Sequence, residues 1–268
     1  MNRPVTSDLL RSGGGRPSSP VVRIASALEM ELRLTSRRLE NLLVTLVLPV
    51  VLLLFFGSVP LLPAAATAAP GVPPINAVLP AILATAIVAA GLVNLGISTG
   101  FERSYGVLKR LGGSPLTRGQ LLVAKIGTIV VVEAVQAALL VGLAVVAFGW
   151  HPGPGWEPLV VVAAVALGTG AFSALGLLLA GTLRAEATMA LTNALFLLAL
   201  LFGGLLVPAH RLPGVLGALA SLVPSAALAD SIRIGLGAST GDALGPLLLL
   251  GAWTVGATIL TARTFRWE

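Results

Sequence analysis

The spacing of charge decides what this chain can fold into. Of its 268 residues only 10% are Asp, Glu, Lys or Arg, against about 25% in a soluble domain. They leave between them apolar runs of about twenty residues, the length a helix needs to cross a bilayer. Chain length therefore counts membrane spans here, and not globular cores. Mean hydropathy is +0.97.

Taken in order, residues 1–20 form a Gly-, Ser- and Pro-rich tail, expected to be disordered and cytosolic. Val21, Ile24, Leu28 and Leu32 then recur at three- and four-residue steps, with Arg23, Glu29, Arg33, Arg37 and Arg38 on other sides. That pattern predicts an amphipathic helix lying along the membrane surface, or else a soluble helix packed on a neighbour. The first forty residues hold no apolar core of a secretory signal, so the first span is expected to direct insertion. Spans are predicted over about 42–62, 75–99, 121–150, 159–182, 188–207 and 244–261. Pro49 sits inside the first, which a membrane helix tolerates when neighbours satisfy the freed carbonyl. Gly96 and Gly100 at the end of the second either permit close helix approach or loosen the span end. Residues 208–238 mix Pro and Gly with apolar stretches, and read as re-entrant or lying at the outer surface, with a helix from about Ser225 to Leu236.

Orientation follows from the positive charges. Of 17 Lys and Arg residues, seven fall in the tail and first helix, five in 101–125, one at Arg184, and two at Arg263 and Arg266. All these lie on one side of a six-span arrangement, leaving Arg211 and Arg233 on the other. Positive charge marks the cytosolic side, so both termini are expected in the cytosol. The fold class is thus all-α and polytopic: residues 21–263 make one transmembrane domain, and 264–268 a cytosolic end. The Ala-, Gly-, Val- and Arg-rich composition with two lysines fits a GC-rich bacterial source, hence the inner membrane.

Several chemistries are excluded. There is no Cys, so no disulfide, thiolate site or catalytic thiol. A phosphate loop needs Gly-Lys followed by Ser or Thr, but the two lysines follow Leu108 and Ala124. Gly168 to Gly170 has Ser173 where a dinucleotide fingerprint needs Gly, and lies inside a span. His151 and His210 stand apart without a HExxH arrangement. The positive charge adjoins apolar runs, where it sets orientation, and is no nucleic-acid signal. No catalytic residue, metal or cofactor is expected in this chain.

Two places can carry function. Glu133 sits about twelve residues into the third span, roughly 18 Å along a helix, and Gln136 follows on the same face. An acid at that depth normally faces the bundle interior. Glu133 is read as a substrate-contacting or proton-sensing carboxylate, or as an interhelical hydrogen bond; Asn94 shares the candidate pathway, or else serves with Thr192 and Asn193 as hydrogen-bonding glue between helices. The second place is Phe101 to Lys125. Gly112-Gly113-Ser114-Pro115 is predicted to break the helix begun at Glu102, and a new helix to start near Pro115 or Thr117. The result is a helix-turn-helix element with Leu108 and Leu111 available to a partner cleft and Lys109, Arg110 and Arg118 at its rim. The alternative is a positive anchor on anionic lipid. Asp230 and Arg233 can pair, as an outer-surface pair of little energetic weight.

Two stretches carry a family resemblance. One is Glu102-Arg103-x-x-Gly106-Val107-Leu108-Lys109-Arg110-Leu111, with Ser114-Pro115-Leu116 and Gln120-Leu121-Leu122-x-x-Lys125. The other is Gly203 to Pro208, with Leu212-Pro213, Leu222-Val223-Pro224, Ala227 and Arg233. In this order the chain resembles the type-2 membrane permeases of ATP-binding-cassette exporters, including the daunorubicin-resistance type. Tyr105 departs mildly, standing where a second acid or small polar residue is frequent. The resemblance implies a coupling helix between spans two and three, with re-entrant outer helices between spans five and six. It implies an ATPase-docking surface at Glu102, Arg103, Leu108, Lys109, Arg110, Leu111, Pro115 and Arg118. The implied partners are two copies of a separate ATPase subunit that holds ATP and Mg, a second permease copy, identical or paralogous, and membrane lipid. The implied activity is export of a hydrophobic drug, lipid or lipid-linked product, as in multidrug efflux. A stand-alone proton-coupled transporter using Glu133 is the alternative, and a membrane scaffold a third class.

Overall fold

In hydrocarbon every backbone N–H and C=O must be paired within the protein, and apolar runs of this length do so as helices. A computed structural model describes residues 19–37, 39–59, 73–111 and 116–265, and all regular structure among them is helical. The elements are α1 (Pro20–Arg37), α2 (Leu39–Ser58), α3 (Ile75–Ser104), α4 (Val107–Leu111), α5 (Arg118–Phe148), α6 (Pro158–Thr182), α7 (Ala185–Phe202), α8 (Gly214–Ala220), α9 (Pro224–Gly235) and α10 (Leu244–Thr264). Residues 1–18 of the predicted tail, and residues 60–72 after the first span, lie outside the described residues.

Five helices, α3, α5, α6, α7 and α10, are long and apolar enough to cross a membrane. They match five of the six expected spans. The sixth, α2, is 20 residues long with Pro49 inside it, and is apolar over Thr45–Ser58. The pair α8 and α9 is bent by 79° at a short break, the geometry of a broken span or a re-entrant loop. The amphipathic pattern at the start of the chain forms α1, which packs Leu28 against Gly127 of α5.

The bundle is built around α3. Its apolar part is 72% buried, where α7 and α10 each bury 17%. It closes on α6 through small residues. A Cβ added at Gly176 would lie 2.5 Å from the Gly91 carbonyl oxygen, and one at Gly96 would lie 3.2 Å from Gly176 Cα. Gly96 thus takes the close-approach role, while at Gly100 an added Cβ would make ordinary contact with Thr188 at 3.5 Å. Just before Gly96, and including Gly91, the helix widens to a π segment over Ala89–Asn94, which re-phases the faces beyond it. Leu53, Leu79, Leu140, Leu228, Ile232 and Leu250 fill the core at 0% exposure.

The third span starts where Thr117 caps it: its hydroxyl accepts from Gln120 N at 3.3 Å, and Gln120 Oε1 accepts from Thr117 N at 3.0 Å. It stops at Gly149, left-handed at φ 60°. The second span departs from expectation. It runs on to Ser104 and breaks at Tyr105–Gly106, where Gly106 takes φ 70°. A left-handed residue is cheap for glycine, so the turn falls there, ahead of the Gly112–Pro115 stretch, which lies outside the described residues.

Replacing Gly176 by Val is predicted to destabilise the bundle at or above the roughly 1–3 kcal/mol typical of overpacking, since backbone atoms oppose it. Gly142→Val, with nothing within 4 Å of an added Cβ, is predicted to leave the melting temperature in detergent unchanged within a degree or two, by contrast.

Candidate functional site

At the end of the bundle that carries α1 and α4, charged side chains are built into the fold. Lys125, about two turns into α5, is 3% exposed, and a buried ammonium needs partners. Its Nζ donates to Glu102 Oε2 at 2.6 Å and to Glu31 Oε1 at 2.8 Å. Glu102 belongs to the last turn of α3 and Glu31 to α1, so one ammonium ties three helices together. The carboxylates keep 18% and 12% of their side chains exposed. Next to Glu102, Arg103 points the other way and donates to the Leu183 carbonyl in the turn between α6 and α7. That bond satisfies an orphan carbonyl at a helix end.

Short α4 is therefore flanked by anchored helices. Leu108 is 1% exposed and packs within the chain, so it is not presented to a partner as the helix-turn-helix expectation had it. Tyr105 is 72% exposed and stacks on Phe101 with centroids 6.0 Å apart; Val107, Lys109 and Arg110 are exposed beside it. Of Leu111 and Arg118 the structure describes the backbone alone, and Pro115 lies outside the described residues. Of the eight expected docking residues, Lys109 and Arg110 are exposed, whereas Glu102, Arg103 and Leu108 hold the element in place.

The pathway residues divide in the same manner. Glu133 and Gln136 are both buried, at 5% and 2% exposure, on one face of α5. They reach different helices. Glu133 accepts from the Thr169 hydroxyl of α6, while Gln136 Nε2 donates to the Thr45 carbonyl of α2 at 2.6 Å. Asn94, the last residue of the π segment, reaches the Thr45 hydroxyl at 3.5 Å. One oxygen of Glu133 and the side-chain oxygen of Gln136 have no partner among the described residues. Those residues hold no cluster of three His, Cys, Asp or Glu suited to a metal ion.

At the opposite end, Arg233 overturns its reading as an outer-surface pair. It is 6% exposed, bonded to Asp230 at 2.8 Å and to the carbonyls of Gly204 and Leu205 at 2.7 and 2.8 Å. Those carbonyls belong to the unwound stretch after α7, where Gly204 takes φ 80°. The signal for it was present: an Arg in an apolar helix, downstream of a Gly-Gly break whose carbonyls need donors.

Long apolar helices around a buried central span, with Lys125 and Arg233 buried near helix ends and Glu133 within a span, define a multi-pass α-helical membrane protein. The model of the ABC-2 type transporter family matches residues 23–236, and the chain belongs to that family. It is thus a membrane permease of the ATP-binding-cassette class, a transmembrane and non-catalytic component. The match is to the family as a whole, and no curated protein is similar to the chain.

Lys125→Ala strands two part-buried carboxylates, and removing one partner of a buried ion pair costs about 3–5 kcal/mol, an upper bound here. The triple change Glu31→Gln, Glu102→Gln, Lys125→Met is predicted to recover most of that loss, as read by thermal unfolding in detergent.

Proposed function

We propose that the chain is the membrane-spanning subunit of an ATP-driven exporter that moves a hydrophobic drug, lipid or lipid-linked product out of a bacterial cell. A separate ATPase, in two copies, supplies ATP and Mg chemistry, and a second permease copy completes the translocation path. The α1–α4 end lies in the cytosol, a placement that the distribution of basic residues supports.

One observation carries the reading. The exposed edge of α4, with Val107, Lys109 and Arg110, is held between helix ends locked by Lys125 and Arg103. A lipid anchor needs only charge, whereas this is a rigid, shaped lever. Nucleotide-driven closure of the ATPase pair would push on it and so tilt α3 and α5. The substrate class rests on the walls. Between α6, α7, α8 and α10 runs a groove of about 500 Å³ lined by such side chains as Leu198, Phe202, Leu219 and Trp253. Ions and sugars fit such a surface poorly.

A second reading, proton-coupled transport through Glu133, draws on its unpartnered carboxylate oxygen at 5% exposure. It lacks a buried basic partner for that acid, and family membership argues against it.

Charge reversal at Lys109 and Arg110 together is predicted to leave membrane insertion intact while cutting co-purification of the ATPase and substrate-stimulated ATP hydrolysis at least tenfold. Normal capture and normal transport by that variant would remove the docking reading. Flux that follows a proton gradient without ATP would favour the second.

A further inference from the structure

The groove between α6, α7, α8 and α10 is apolar except where α9 begins, and there the helix starts without acceptors. Pro224 opens α9 and has no N–H, so Ser225 and Ala226 carry the first two donors. Neither N–H meets a carbonyl or a side chain among the described residues; Ala227 N is the first to bond, to the Val223 carbonyl at 3.4 Å. Val223, in the cap position, brings no side-chain acceptor. The Leu222 carbonyl, the regular acceptor for Ala226 N–H, instead accepts from Trp253 Nε1 at 3.0 Å. Ser225 and Ala226 are buried, and buried backbone donors are almost always paired. Two adjacent orphans call for an acceptor from outside the chain.

A side chain points to the same place independently. Ser225 lines the groove at 2% exposure, and its hydroxyl bonds no described residue. Room for that hydroxyl comes from Gly203, where an added Cβ would collide with Ser225 Oγ. The start of a helix also carries about half a positive charge. The indole of Trp253 fixes the depth: it lies roughly 14 Å along α10 from Leu244, near the middle of a spanning helix. No Asp, Glu, Lys or Arg stands among the described lining residues, so a charged head would be buried there without a partner. What the spot accepts is a neutral molecule that brings an acceptor.

We infer that this groove binds a neutral apolar molecule through a carbonyl oxygen, which accepts from the Ser225 and Ala226 N–H groups and the Ser225 hydroxyl. Its volume of about 500 Å³ lies within the roughly 300–1,000 Å³ of small-molecule sites. Leu198 and Phe202 of α7 and Leu219 of α8 enclose the apolar body. The site lies within one copy of the chain, apart from any path between two copies. The inference deepens the exporter reading by naming a ligand class and rests on it for its biological sense, but binding itself needs no ATPase.

That independence sets the test. The full chain, in phosphatidylcholine nanodiscs without an ATPase, is irradiated with heptylbenzophenone, a ketone that inserts into neighbouring C–H bonds, and the labelled peptides are identified by mass spectrometry. Saturable labelling of α7 or α10 in the groove is expected. Heptylfluorenone and heptylfluorene then compete with the probe; they share one skeleton, with C=O in the first and CH₂ in the second. At matched mole fraction in the lipid, the ketone is expected to compete about fivefold better or more, the scale of one net hydrogen bond. Ser225→Ala is expected to cut that preference about threefold. It removes a hydroxyl that bonds nothing in the chain, so thermal unfolding should not move. Leu198→Trp fills the groove from its exposed rim and is expected to abolish the labelling. Equal competition by the two fluorenes would mean that water serves these donors, and it overturns the proposal. A preference untouched by Ser225→Ala, or labelling that survives Leu198→Trp, overturns it as well. A ketone preference in a complex whose ATP hydrolysis ignores ketones supports the site and counts against the exporter reading. Loss of the preference beside ATPase coupling that still depends on Lys109 and Arg110 overturns the site alone.

Discussion

One ammonium group organises the end of the molecule that carries α1 and α4. Lys125 is buried, and a buried charge survives only with partners. Its partners come from α1 and α3, 94 and 23 residues away in sequence. Everything at that end follows. The surface helix α1 is pinned to the bundle, the last turn of α3 is fixed, and α5 starts from a defined point. Apolar residues could fill the same space with equal or greater stability. What they could not supply is a single register for three helices, and a lever needs that register more than it needs stability.

The opposite end uses the same device with different atoms. Arg233 bonds the carbonyls of Gly204 and Leu205, which α7 leaves behind when it unwinds. Between the two charged junctions the bundle relies on shape: Gly91, Gly96 and Gly176 bring α3 against α6 until backbone touches backbone. In a membrane the hydrophobic effect gives helices little reason to associate, so close packing and internal hydrogen bonds must do it. On the proposed reading, motion imposed at α4 would pass to α6 through the close contacts of α3. Glu133 on Thr169 and Gln136 on Thr45 link α5 to both neighbouring spans along the way.

How much of this the residues announce depends on the range of the interaction. Periodicity and run length are local, so the spans, the amphipathic α1 and the helix at Pro224–Gly235 could all be read directly. Capping is local as well, and Thr117 with Gln120 starts α5 close to where the Gly-Gly-Ser-Pro signal puts it. The break at Tyr105–Gly106 was masked by a stronger Gly-Gly pair downstream. Roles that depend on distant partners were not readable. Lys125 reads as one more basic residue beside a span, because nothing in its own neighbourhood names Glu31. Leu108 reads as an exposed apolar knob and is instead covered. Arg233 reads as surface, although the Gly203-Gly204 break upstream of it signalled carbonyls in need of a donor.

If the proposed coupling holds, α1, α4 and the start of α5 move as one body when a partner ATPase closes. Spin labels at Leu34 on α1 and Val107 on α4, both partly exposed, measure that directly against a label at Ile259 on α10. In the reconstituted complex, pulsed electron-electron resonance should give an unchanged Leu34–Val107 distance on trapping with ATP and vanadate, while Val107–Ile259 shifts. A Leu34–Val107 distance that changes as much as Val107–Ile259 would contradict the account.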